Sequence, residues 1–109
     1  MVIKDLPASV RQYFNSRNAF DAASALAQFG DDAFVEDENV ERRGRDAIRD
    51  WIEETQTKYR PTFEVQAAEH VGDGLVVTTL VSGTFPGSPL QIDHTFVLSD
   101  EKISRLVIG

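Results

Sequence analysis

The chain has 109 residues, the length of one ordinary domain, and its 41% hydrophobic and 27% charged content is too apolar for a disordered segment. Eleven Lys and Arg against eighteen Asp and Glu leave a net charge of −7, a field that repels nucleic-acid phosphates. The absence of cysteine excludes disulfides, thiol catalysis and thiolate zinc sites, and His70 and His94 lack metal-ligand spacing, so no metal site is expected.

In chain order, Leu6, Val10, Tyr13 and Phe14 recur at i, i+4, i+7 and i+8, and Pro7 suits a first helical turn. This spacing predicts a helix from Pro7 to Arg17. Asp21 is placed to cap a second helix with Ala22, Leu26 and Phe29 on one side, and Gly30 is expected to end it. A third helix follows Gly44. Its face carries Ile48, Trp51, Ile52, Thr55 and Tyr59, and Pro61 stops it. Between the last two lies a short strand, Ala33 to Asp37, expected to join an edge of the sheet.

Beyond Pro61 the pattern is strand throughout. Thr62 to Val71 ends at the hairpin signal Gly72-Asp73-Gly74, and Leu75 to Phe85 follows. Phe85-Pro86-Gly87-Ser88 reads as a type II turn, after which Leu90 to Leu98 and Lys102 to Ile108 flank the turn Ser99-Asp100-Glu101. Three helices followed by an antiparallel meander predict an α+β fold, the helices covering one face of a curved sheet. The longest mostly apolar run, Leu75 to Val81, falls far short of the roughly 20 residues of a membrane helix. The amino terminus has no signal-like apolar stretch either, so a cytoplasmic protein without a membrane partner is expected.

Strand parity singles out two carboxylates. Asp37 shares a face with Ala33 and Val35, whereas Asp93 lies with Gln91, Thr95 and Val97, opposite Leu90, Ile92, His94, Phe96 and Leu98. Tyr13 adds a hydroxyl to the apolar stripe of the first helix. A buried phenol needs a hydrogen-bond partner, and an acid among apolar neighbours is costly unless neutral, paired or engaged with a ligand.

The run from Gln28 to Asp37, followed by Gly44 to Trp51, resembles the nuclear transport factor 2-like superfamily in its SnoaL-like and ketosteroid isomerase branch. That resemblance implies a cone-shaped fold, three helices wrapped on a strongly curved sheet around a deep apolar pocket. It also implies roles. Val35-Glu36-Asp37 matches the segment of the general base, Tyr13 the tyrosine donor of the first helix, and Ile92-Asp93-His94 the segment of a protonated carboxylic acid donor. Ketosteroid isomerase is itself the type case of an Asp base beside an oxyanion hole of Tyr and neutral Asp. By this resemblance Asp37 abstracts a proton α to a carbonyl, Tyr13 and Asp93 hydrogen-bond the enolate oxygen, and Phe29, Trp51, Thr95 and Val97 surround an apolar carbonyl ligand, with no cofactor.

The chain departs from that pattern in three places. Glu38 and Asn39 follow the base where Pro is usual, Ile52 stands where some isomerases carry a supporting tyrosine, and Thr95 replaces Phe after the His of the acid motif. A non-catalytic ligand-binding protein and a dimerisation module of the same fold are therefore alternatives to an isomerase or cyclase. Arg42, Arg43 and Arg45 read as a solvated loop, and His70 has no assigned role. Apolar residues on both faces of the later strands (Leu75, Val77 and Val81 against Val76, Leu80 and Val97) predict a homodimer through the open sheet face, with His94 at or near the interface and Phe96 sensitive to an introduced charge.

Overall fold

The structure, a computed structural model, describes residues 6–109. Part of the amino-terminal stretch read for a signal lies outside the described residues. Three helices, α1 (Ala8–Asn18), α2 (Ala22–Leu26) and α3 (Arg45–Tyr59), accompany six strands. The strands are β1 (Phe29–Asp37), β2 (Val40–Arg43), β3 (Thr62–Val71), β4 (Gly74–Ser82), β5 (Leu90–Ser99) and β6 (Lys102–Ile108). No helix among the described residues is long and apolar enough to cross a membrane.

The strands form one sheet in the order β2-β1-β6-β5-β4-β3, antiparallel except where β1 runs parallel to β6. The early strand joins the β6 edge of the meander as expected, but it is not the outermost strand. It begins at Phe29 because Gly30, expected to end α2, is ordinary strand; α2 stops at Ala27 instead. The edge is β2, which sequence reading missed. It is reached by a two-residue turn in which Glu38 and Asn39 both have positive φ, 54° and 63°. Such turns fit the twist of a hairpin, but Asn and Gly adopt this conformation far more readily than Glu, which hides the turn from a composition-based reading.

α3 ends as expected before Pro61, with Arg60 in the left-handed conformation. β4 stops at Ser82 rather than Phe85. There Gly83 passes so close to the end of α3 that a Cβ would lie 2.5 Å from the Tyr59 carbonyl oxygen. Thr84 N–H then donates to that same oxygen at 2.8 Å. These contacts seat the segment carrying Phe85 and Pro86 over the carboxyl-terminal end of α3.

One sheet face is buried beneath α1 and α3. Leu75, Val77, Thr79 and Val81 of β4, His94 and Phe96 of β5, and Leu106 of β6 lie on it. The residues between them, including Val76, Thr78, Leu80, Asp93, Thr95 and Val97, occupy the other face and are half-buried or exposed. Tyr13, Phe14 and Phe96 meet edge to face at the centre of the core, with ring centroids 5.2–5.8 Å apart. Phe96 is therefore a core residue, so of the two outcomes expected for a charge introduced there, a split dimer or an unfolded protein, its position favours unfolding.

Candidate functional site

At one end of this core a cavity of about 280 Å³, partly open to solvent, is left between α1, α3 and the covered sheet face. Its walls are largely apolar, with Phe63, Val81, Phe85, Leu90, Ile92 and Ile108 among them. Set into them are the polar side chains of Tyr13, Arg17, Asp37, Thr55 and His94, with Glu38 and Tyr59 also in the lining.

Asp37 reaches the cavity because inward parity along β1 ends on it, after Ala33 and Val35. Trp51, one face of α3 away, donates its indole N–H to Asp37 Oδ2 at 3.1 Å and fixes the carboxyl. Burial pushes the Asp37 carboxyl above its ordinary range. The Trp51 bond pulls it back, Glu38 adds to the rise, and Arg42 and Arg17 oppose it.

Tyr13 and Arg17, one turn apart on α1, form the second feature. Arg17 Nη1 donates to the Tyr13 hydroxyl oxygen at 2.9 Å and Nη2 to Thr55 Oγ1 at 3.0 Å. Since the Tyr13 oxygen accepts from Arg17, its own hydrogen remains free for a ligand. Burial raises the Tyr13 pKa, and Arg17 counteracts this. Arg17 itself is only 2% exposed, with its guanidinium 5.1 Å from the Trp51 ring and 5.2 Å from that of Phe63. No carboxylate among the described residues lies within 4 Å of it. Sequence reading treated Arg17 as a helix end, although its spacing from Tyr13 and Val10 already placed it on the buried stripe.

His94 lines the same cavity, 1% exposed and wedged among Phe14, Phe63 and Phe96. Burial lowers its pKa to about 3, so the ring is neutral at physiological pH. The expectation that His94 sits at an interface is corrected.

Asp93, by contrast, is exposed on the opposite face, where its Oδ1 accepts from Thr78 Oγ1 at 3.1 Å. The expected convergence of Tyr13, Asp37 and Asp93 in one cavity is therefore corrected: the structure brings together the first two only. Strand parity excluded Asp93 from the face of Ile92 and Phe96, and the motif resemblance set it one residue away from the inward position that His94 occupies. Thr95 and Val97 share the outer face with Asp93 and do not wall the cavity. Phe29 packs edge to face behind Tyr13 at 5.6 Å and lines a separate depression beside Asp31 and Asp32, so it supports the site without facing it. Of the four expected wall residues, only Trp51 is in the lining. Ile52 is fully buried, His70 is exposed, Arg45 donates to the Phe29 carbonyl at 2.6 Å, and Arg43 pairs with Glu41 in solvent.

The fold is α+β, with three helices packed on a six-stranded sheet and a cavity between α1, α3 and the covered face. Comparison with known families is specific: residues 10–106 match the SnoaL-like domain, and the chain belongs to that family. Among solved structures it is similar to a candidate polyketide cyclase from Sinorhizobium meliloti, 33% identical over 100% of both chains with a TM-score of 0.94. A protein from Sphaerobacter thermophilus is 28% identical over 93% of this chain and 91% of its own, with a TM-score of 0.77. An epoxide hydrolase/cyclase-like enzyme of pyran ring formation in the polyether salinomycin shares the fold at 22% identity and a TM-score of 0.79, over 92% of this chain and 85% of that one. A search of curated proteins finds no match.

Proposed function

We propose that this protein binds a small, largely apolar carbonyl compound in the cavity and catalyses proton transfer α to the carbonyl, as an isomerase or cyclase. The observation that carries this reading is the placement of the Asp37 carboxyl, fixed by Trp51, in one apolar cavity with the Tyr13 hydroxyl and the buried Arg17. A carboxyl with a raised pKa is the stronger base once ionised. Asp37 takes the α-proton, the C–H electron pair becomes the enolate double bond, and the negative charge moves to the carbonyl oxygen. There the Tyr13 O–H donates to it, polarised by the Arg17 guanidinium. Charge within the cavity is conserved, because the anion that Asp37 loses reappears on the enolate near Arg17. The proton then returns to a different carbon in an isomerisation, or the enolate carbon attacks a second carbonyl in a cyclisation, forming a C–C bond and an alkoxide that takes the proton back from Asp37. Similarity to the candidate polyketide cyclase supports the same chemistry.

One observation favours a second reading, a non-catalytic binding protein: the acid donor Asp93 is outside the cavity. The two separate on one experiment. In deuterated water, wild-type protein should speed α-proton exchange of 2-tetralone, and Asp37→Asn should remove at least about 100-fold of the acceleration while remaining folded. Saturable binding without exchange would select the binding protein. As to assembly, we propose that a second copy covers the half-buried Val76, Leu80 and Val97 on the outer face, which sedimentation would show as a dimer and a stable monomer would refute.

A further inference from the structure

The proton-transfer reading does not use the imidazole of His94 in the cavity wall, and the hydrogen bonds around it determine what it offers a ligand. Thr79 Oγ1 lies 2.8 Å from the Ile92 carbonyl oxygen and 3.1 Å from His94 Nδ1. A carbonyl only accepts, so the single hydroxyl hydrogen of Thr79 goes to Ile92. The contact with His94 is then a hydrogen bond only if Nδ1 carries the proton and donates it to Thr79. Nε2 is left as a bare lone pair. Burial keeps the ring from taking a second proton in the physiological range.

Nε2 has no partner among the described residues, yet it is not sealed off. Among the described residues, the fully buried side-chain nitrogen and oxygen atoms without a partner are Ser9 Oγ, Arg17 Nε and Gln56 Oε1. Nε2 is not among them, so it keeps its accessible surface in the cavity that His94 lines. The ring cannot easily turn away. Phe14 and Phe63 meet it edge to face at 5.3 and 5.8 Å, and Phe96 lies nearly parallel to it at 6.3 Å. A preoriented acceptor in an apolar wall loses its hydration when a ligand enters, and a ligand without a donor leaves it unsatisfied.

We propose that His94 is a specificity-determining acceptor for a ligand hydroxyl, so that the substrate class is a hydroxylated carbonyl compound: its carbonyl lies at Tyr13 and Arg17, and a phenolic or enolic O–H donates to His94 Nε2. This rests on the cavity being the substrate site, as proposed above. The polar groups divide accordingly, with donors on α1 and a neutral acceptor on β5. The acidic O–H of a phenol or enol matches a neutral imidazole better than an alcohol does, because the bond strengthens as donor and acceptor acidities approach one another.

The test compares 2-naphthol with 2-methoxynaphthalene, which keeps the ring system and lacks the donor, by calorimetric titration of the full chain and of His94→Phe. Wild-type protein should bind the naphthol about tenfold more tightly than the ether, and the ratio should fall to about one in His94→Phe. Nitrogen NMR of wild-type protein gives a readout that needs no variant. The Nε2 resonance should be that of an unprotonated nitrogen, should shift on 2-naphthol binding, and should not shift on binding of the ether. Equal affinities in wild type, a preference that survives in His94→Phe, or a protonated Nε2 in the free protein would overturn the assignment of His94 and leave the cavity reading standing. Failure of both compounds to saturate the protein would overturn the cavity reading, and this inference with it.

Discussion

Asp93 and His94 are neighbours in β5, and the two faces of the sheet give them opposite surroundings. Asp93 stands in solvent, bonded to the Thr78 hydroxyl of the adjacent strand. His94 is packed between aromatic rings in the wall of a cavity, with a pKa lowered to about 3. The same contrast runs through β4, where Leu75, Val77, Thr79 and Val81 are buried while Val76, Thr78 and Leu80 are only half-buried. A step of one residue along a strand thus separates a group whose ionisation the fold penalises from one that water solvates. The proposed chemistry belongs to the covered face.

Substitutions on the two faces should separate most widely where a charge is introduced. Phe96→Asp removes a core ring, a change worth about 3 to 5 kcal/mol, and adds a buried charge. That approaches or exceeds the roughly 5 to 15 kcal/mol that holds an ordinary domain together, so the protein should lose its cooperative thermal transition. Thr95→Asp, one residue away on the outer face, should keep the transition within about 1 kcal/mol and weaken only the proposed self-association.

Acid supplies the next largest effect. His94 has a pKa of about 3 in the folded protein against the usual 6.5, so the unfolded chain binds more protons between these values. Stability should be full above about pH 6.5 and fall as pH drops toward 3. At about 1.4 kcal/mol per tenfold change in proton affinity, the loss is on the order of 5 kcal/mol. His94→Phe should flatten the acid limb of a urea-denaturation series measured against pH, and an unchanged limb would mean that the ring is not buried as described.

Arg17 sharpens the contrast in another way. A buried guanidinium with no carboxylate within 4 Å is a poor stabiliser, and apolar replacements of buried charges are often neutral or favourable. Arg17→Met should therefore keep or raise the melting temperature while lowering any α-proton exchange activity about 100-fold. A large loss of stability with activity retained per folded molecule would make Arg17 a structural residue. Asp37→Asn should have the smallest stability effect. Because the folded-state pKa is raised, the native protein binds more protons than the unfolded chain between the two values, and its penalty is present above that window and relieved as pH falls through it. The amide removes that penalty, so stability at neutral pH should be equal or slightly higher.

Much of this architecture was legible from local rules. The apolar stripe of α1, the Pro61 stop of α3, the β3–β4 hairpin and the α+β order all follow from periodicity and turn chemistry, and inward parity along β1 pointed to Asp37. What was hidden depended on contacts distant in sequence. The parallel pairing of β1 with β6 leaves no local mark, and the hairpin to β2 turns on Glu38 and Asn39 rather than on glycine. Arg17 entered only as the end of the first helix, because a charged residue is rarely buried without a partner, and only the rings of Trp51 and Phe63 explain its position. Parity placed His94 on the apolar face of β5, but the aromatic rings that bury it there come from α1 and β3, far away in the chain.

The central claim, that proton transfer takes place on the covered face with Asp37 as base, is tested most directly by measuring deuterium uptake into 2-tetralone for Asp37→Asn and Asp93→Asn side by side at equal concentrations of folded protein. With Asp37 as the base, Asp93→Asn should exchange at the wild-type rate within a factor of about two, whereas Asp37→Asn should fall by at least about 100-fold. Wild-type exchange in Asp37→Asn, or a comparable loss in Asp93→Asn, would contradict that claim.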